Sequence, residues 1–374
     1  MNIKVRKNIE GLVPYPPGKP LKELEREYGI SNCLKMASNE NPLGPSPLAL
    51  EAISNSLENL HRYPDGSCYY LVNALADQLD ISPDQLVLGN GSNEIIDLLV
   101  SSFVAPGDEV LSSFPSFLVY QNAVQIRDGI NRVLPLKKMR HDLKTIASRI
   151  SSSTKLIFLD NPNNPTGSLI GKQEFDDFLS TIPDTVIVVI DEAYVDFTSP
   201  ELRLNIHDYL DGDKPVVFLR TFSKAYGLAG LRIGYGIMRR EISTYLHRVR
   251  QPFNVNELAQ VGALACLQDK GHYDKTMAVT REGISWLRTG IEKLGCPTFP
   301  SYTNFFLVDV RRNCREVYEL MLHKGVIVRA MDSYDYPQYI RITVGTAEEN
   351  KRLLKALAES LTEIQQDEAG NNNH

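Results

Sequence analysis

Lys155-Leu156-Ile157-Phe158-Leu159-Asp160-Asn161 and Thr185-Val186-Ile187-Val188-Val189-Ile190-Asp191-Glu192 decide how this chain folds. Each is an unbroken apolar run that stops abruptly at acids or amides. A strand with one wet face alternates apolar and polar side chains; a strand covered on both faces has no need to. Glu109-Val110-Leu111 and Val216-Val217-Phe218-Leu219 repeat the pattern, the second ending in Arg220-Thr221. Segments of helical periodicity lie between the runs. The expected fold class is therefore α/β, a mostly parallel sheet covered by helices. In open sheets of this kind ligands bind beyond the carboxyl ends of the strands. The polar ends Asp160-Asn161, Asp191-Glu192 and Arg220-Thr221 thus mark where a site is expected.

Beyond residue 262 the pattern changes. A long amphipathic stretch at 277–294 precedes two strand-like runs, Asn304-Phe305-Phe306-Leu307-Val308-Asp309-Val310 and Tyr339-Ile340-Arg341-Ile342-Thr343-Val344, and a closing helix is expected over 347–364. This reads as a smaller α+β domain. The division expected is an N-terminal arm and part of the small domain over 1–38, a large domain over 39–262, the small domain over 263–364 and a polar, disordered tail over 365–374. Pro14-Tyr15-Pro16-Pro17-Gly18-Lys19-Pro20 cannot be a helix interior, because proline lacks the N–H donor, and it reads as an extended arm. At 374 residues the chain has room for two cores. A net charge of −6 with no basic block argues against nucleic-acid or membrane-surface partners. The five cysteines are scattered, without CxxC spacing, which points away from a disulfide framework or a metal site and towards a cytoplasmic setting. No apolar segment follows the basic N-terminus, so no secretory signal is expected.

Four stretches carry chemistry. In Thr221-Phe222-Ser223-Lys224-Ala225-Tyr226-Gly227-Leu228-Ala229-Gly230-Leu231-Arg232, a lysine sits just past a buried strand. Desolvation and a neighbouring cation can make its amine nucleophilic, able to form a Schiff base with an aldehyde. Ser223 and Arg232 can hold a phosphate. Asp191 closes an apolar strand, an expensive place for a carboxylate unless it meets a cation such as a pyridinium nitrogen; otherwise it caps the next turn. Tyr194, three residues on, can donate to a phenolate. Asn161-Pro162-Asn163-Asn164-Pro165-Thr166-Gly167 fixes a loop that either aims Asn164 at the same oxygen or is simply a rigid turn. Gly89-Asn90-Gly91-Ser92-Asn93 opens a helix and can offer the N–H groups of Gly91, Ser92 and Asn93 to an anion, or act as an ordinary N-cap. An aldehyde, a pyridinium, a phenolate and a phosphate together describe pyridoxal 5′-phosphate. Phe117 either stacks on such a ring or is an ordinary core aromatic.

With these stretches in order, and with Asn39-Glu40-Asn41-Pro42-Leu43-Gly44, Arg62-Tyr63-Pro64-Asp65 and Arg341-Ile342-Thr343-Val344-Gly345, the chain resembles the fold-type I, aspartate-aminotransferase-like pyridoxal-phosphate enzymes. Within them it looks most like the histidinol-phosphate branch. The resemblance spans roughly residues 14–361. It implies that Lys224 carries the cofactor, that Asp191 pairs with its ring nitrogen, and that Tyr63 reaches the cofactor phosphate of a partner in a homodimer. It also implies that Asn39, Tyr63, Arg329 and Arg341 contact substrate, the two arginines through its anionic groups. Asn93 and Phe117 stand where the family more often has Asp and Tyr. The activity implied is transamination of L-histidinol phosphate with 2-oxoglutarate in histidine biosynthesis. Aromatic-amino-acid transamination and threonine-phosphate decarboxylation fit the same cofactor site. A ligand-responsive regulator would need a DNA-binding segment, and no helix-turn-helix or basic arm precedes residue 14.

Overall fold

The computed structural model describes residues 3–12, 22–23, 26, 29 and 31–371; the proline-rich arm at 14–20 lies outside them. The strands are β1 (Leu34–Lys35), β2 (Leu86–Gly89), β3 (Glu109–Phe114), β4 (Ile130–Pro135), β5 (Thr154–Asp160), β6 (Ile187–Asp191), β7 (Val216–Thr221), β8 (Gly234–Met238), β9 (Phe305–Asp309), β10 (Val326–Ile327), β11 (Arg329–Ala330) and β12 (Tyr339–Thr343).

Seven of them form one sheet in the order β2-β8-β7-β6-β5-β3-β4. β4, β3, β5, β6 and β7 are parallel, and β8 runs against both β7 and β2. The unbroken apolar runs are explained by the side-chain period of two. Ile157, Leu159, Val188, Ile190 and Phe218 enter one core, while Leu156, Phe158, Val189, Val217 and Leu219 enter another on the opposite face. Each fully buried side chain of this kind contributes about 1.5–3 kcal/mol. At the edge, β4 is largely exposed and lacks such a run.

A second sheet, β11-β12-β9, is antiparallel. It packs with the helices Lys270–Lys293, Cys314–His323 and Ala347–Asn371 around Leu287, Ile291, Phe306, Val308, Ile342 and Leu357. β1 pairs in parallel with β10, so the segment before residue 39 is tied to this smaller unit. Two sequence expectations need correction. Residue 262 falls inside the helix Glu257–Gln268, whose Ala259, Ala263 and Cys266 lie in the large-sheet core, so the large unit continues past it. The closing helix runs to Asn371 where a disordered tail was expected from 365. Leu361 and Ile364 anchor its buried side, and Arg312 pairs with Glu368 at 3.3 Å. Residues 372–374 lie outside the described residues. Among the described residues no helix is long and apolar enough to cross a membrane.

Candidate active site

Three neighbouring strands of the large sheet end side by side. β5 ends in Asp160 and β6 in Asp191, which are register partners; β7 ends in Thr221, three residues before Lys224. A cavity of about 220 Å³ opens beyond these ends. Asp191, Tyr194, Ser223 and Lys224 line it from the strand ends, and Gly91, Ser92 and Asn93 from the start of the helix Ser92–Phe103. Phe117, Asn164 and Arg232 complete the predicted set that meets there. Residues from five separate loops thus converge, because β2, β3, β5, β6 and β7 all run the same way and their carboxyl ends share one side of the sheet, while β8 runs against them.

Lys224 is half-buried in the cavity wall, its Nζ 3.3 Å from the Ser38 carbonyl oxygen and 5.6 Å from the Tyr194 ring centre. Burial, then the positive charges of Arg341 and Arg232, lower the pKa of its amine to about 8; Glu40 and Asp191 oppose that shift. Asp191 is pushed up to about 7, first by burial and then by the adjacent charge of Asp160, while Tyr120 and the Ala193 N–H act the other way. Tyr120 Oη donates to Asp191 Oδ2 at 2.8 Å and the Ala193 N–H to Oδ1 at 3.1 Å. A carboxylate held on both oxygens cannot swing away from the cavity. Burial pushes the Tyr194 phenol up to about 12, with Arg341 opposing, so it stays protonated.

The helix Ser92–Phe103 has no side-chain cap at its N-terminus. Its N-cap is Gly91, with φ +78°, where an added Cβ would stand 2.7 Å from Arg232 Nη2. Backbone N–H groups and a guanidinium therefore face one small space, an arrangement suited to an anion.

A family model described as aminotransferase class I and II matches residues 31–357. The chain belongs to the class I and II aminotransferases. It is 54% identical to the histidinol-phosphate aminotransferase of Desulfotalea psychrophila over 97% of each chain. It is 45% identical to that of Moorella thermoacetica, over 96% of this chain and 93% of the relative. A solved structure of histidinol-phosphate aminotransferase from Sinorhizobium meliloti in complex with pyridoxal-5′-phosphate superposes with a TM-score of 0.89 at 27% identity, covering 96% of this chain and 98% of that one. The α/β fold expected from the strand pattern and the aminotransferase fold implied by the resemblance are thus the ones observed.

Four predicted residues of this aminotransferase stand behind or away from the cavity wall. Asn39 is buried with φ +56°, and its Nδ2 donates to Tyr194 Oη at 2.9 Å. It therefore orients a cavity residue. Arg341 is also buried. Its Nη1 donates to Asn164 Oδ1 and its Nη2 to the Ala37 carbonyl at 2.7 Å. With the Asn164 oxygen taken, its amide N–H₂ is the end left for the cavity. Arg329 sits opposite Arg341 in the β11–β12 ladder and makes no ion pair among the described residues. Tyr63 is 83% exposed and stacks on Phe253 at 4.8 Å, outside this chain's own cavity.

Sequence reading missed Tyr120, Asp160 and Glu40, all of which line the cavity. Tyr120 follows Phe117 by three residues, the spacing that puts two side chains on one side of a helical turn, and that was its available signal. Asp160 was visible as a polar strand end but received no role.

Proposed function

We propose that this aminotransferase uses pyridoxal 5′-phosphate to move the amino group of L-histidinol phosphate to 2-oxoglutarate, giving imidazole acetol phosphate and L-glutamate, as one step of histidine biosynthesis in the cytoplasm. The observation that carries the reading is one buried cavity shared by an amine of lowered proton affinity and a doubly anchored carboxylate at neighbouring strand ends. The 54% identity with a protein named for that substrate supports the substrate class.

The residues present fit the cofactor. The uncapped helix start with Gly91, Ser92 and Asn93 would hold its phosphate with Ser223 and Arg232. Asp191 would face the ring nitrogen, Asn164 and Tyr194 the phenolic oxygen, and Phe117 the ring. Lys224 would join the aldehyde. Bound there, the cofactor supplies an electron sink for the pair left at the substrate Cα when its proton departs.

The rest falls to the chain's own side chains. Lys224, once free of the aldehyde, is the base that takes the Cα proton and hands it back. Near neutral pH an amine with a pKa of about 8 exists in both forms, as a group that must accept and return a proton requires. Asp191, ionised against a ring cation, keeps the proton on the ring nitrogen. Tyr194 and Asn164 hold their orientation through Asn39 and Arg341. Arg341 and Arg329 would meet the anionic groups of the substrates, and Asn39 would border them. Tyr63, turned outward, would serve the second subunit of a homodimer. The exposed Leu57, Tyr69 and Tyr70 near it in the chain, with Phe253 stacked on its ring, supply apolar surface for such a contact.

The test is a purified protein loaded with pyridoxal phosphate and offered histidinol phosphate, phenylalanine or threonine phosphate with 2-oxoglutarate. Turnover is expected with the first donor by a wide margin, with no release of carbon dioxide from the third. Lys224→Ala is expected to lose both turnover and the absorption band of the lysine-bound cofactor. A variant that kept normal turnover would refute the assignment.

A further inference from the structure

Asp160 is 4% exposed and lies beside Asp191 across the β5–β6 ladder. Two amide donors meet its carboxylate: Asn163 Nδ2 donates to Oδ1 at 3.0 Å and the Asn164 N–H to Oδ2 at 2.9 Å. His141 Nε2 stands 3.1 Å from both Oδ1 and the carbonyl oxygen of Asp160 itself. His141 is itself buried and is fixed on its other side by Ser113 Oγ at 2.8 Å. The two amide contacts lie on the side chain, outside the backbone ladder that pairs β5 with β6. A charge this deep is costly unless something uses it.

Charged and titratable groups face Asp191 from every element packed against it: Tyr120 from the helix Val119–Ile126, Asp160 from β5, Glu192 one residue past the end of its own strand, Tyr194 beyond that and Lys224 beyond β7. Among the carboxylates, Glu192 is engaged with Arg220 at 2.7 Å. Asp160 lines the cavity itself, and among the described residues its carboxylate takes hydrogen bonds from amide donors, with His141 beside it.

We propose that Asp160 is a positioning residue that acts through Asp191: a second, fixed anion of the cavity wall, anchored by His141, that strengthens the site's preference for a ring cation and aims Asn164 by holding its N–H. Like charges side by side each favour a cation in front of them more than either would alone. The amide donors on Asp160 hold its carboxylate in place beside Asp191. The raised proton affinity of Asp191, to about 7, agrees in sign.

The proposal rests on the preceding reading only for the identity of the cation, and its test does not need the cofactor. In protein freed of pyridoxal phosphate, the Asp191 carboxyl is titrated by ¹³C NMR, its signal assigned by loss in Asp191→Asn. Asp160→Asn keeps the shape and one oxygen and removes the charge, so the Asp191 midpoint should fall, by about one pH unit for a neighbouring charge of this kind. His141→Asn leaves the charge and removes the anchor, so the midpoint should not fall. An unchanged or raised midpoint in Asp160→Asn overturns the proposal, as does an equal fall in both variants, which would mark a structural role only. If Asp160→Asn does not fold, Asp160→Ser takes its place in the same titration. A second arm compares binding of pyridoxal phosphate with its analogue lacking the ring nitrogen. The ratio of affinities should shrink several-fold in Asp160→Asn, and an undiminished ratio counts against the proposal. If the unaltered protein binds neither compound, the cofactor assignment fails while the Asp191 titration still decides the role of Asp160.

Discussion

Lys224 shows how much of an active residue is set by its surroundings. Its amine falls from a pKa of 10.5 to about 8, mainly through burial. Between those values the unfolded chain holds more protons than the folded one. Stability should therefore rise with pH across that window, and this contribution is lost as pH falls through about 8. The same displacement predicts reactivity. The rate at which cofactor-free protein takes up pyridoxal phosphate should climb with a midpoint near pH 8, followed by absorption in stopped flow; a midpoint near 10.5 would show a solvated, ordinary lysine. The sequence made Asp191 visible because it closes an apolar run with a charge, and Lys224 because it follows another such run just past its end, after a hydroxyl residue and ahead of a glycine-flanked arginine. Tyr120 stayed hidden because a tyrosine in an amphipathic helix looks like core, and its value lies in where a single hydroxyl points. Arg341 was legible only through resemblance: its bond to Asn164 joins residues 177 positions apart, and no local pattern encodes that.

At the scale of elements, the strands buried on both faces were legible and the others were not. β5, β6 and β7 carry continuous apolar runs because both faces meet a core. β8 is Gly234-Tyr235-Gly236-Ile237-Met238, too short and glycine-rich to announce its direction, and β4 is an exposed edge. The closing helix was expected to stop at 364 because Ile364 is its last buried apolar side chain and the residues beyond it, Gln365-Gln366-Asp367-Glu368, are all polar. The turn from β2 into its helix gives a sharper test. Gly91 has φ +78° and faces Arg232. Gly91→Ala should cost about 1 kcal/mol of stability for the backbone strain. The arginine tip is flexible enough to yield, but yielding moves it off the anion it would hold. Cofactor affinity should therefore drop about tenfold or more, a larger effect than the fold suffers, since a guanidinium–phosphate pair is a charge-assisted bond. Fluorescence titration with pyridoxal phosphate set beside a urea midpoint separates the two.

The whole molecule raises the matter of Tyr63, which points away from its own cavity. If it serves a second copy, two defective chains should repair each other. In a mixed dimer of Lys224→Ala and Tyr63→Ala, one site has both defects and the other has neither. Random mixing by unfolding and refolding together should restore about a quarter of normal activity from two nearly inactive preparations. No recovery in the mixture would place Tyr63 outside the partner's site. No sequence pattern of one chain can show a residue's use by another, which is why Tyr63 reads locally as an ordinary turn aromatic and only the resemblance gives it a role.

The guanidinium of Arg341 ties Asn164 of the large sheet to Ala37, just beyond the strand that pairs with β10. Ribosomes release a polypeptide in order, so the parts holding the lysine and the aspartate emerge long before this clasp does. A nascent chain that has already formed the large sheet still lacks the fastening that steadies Asn164, and competence arrives only when late-made residues fold back onto early ones.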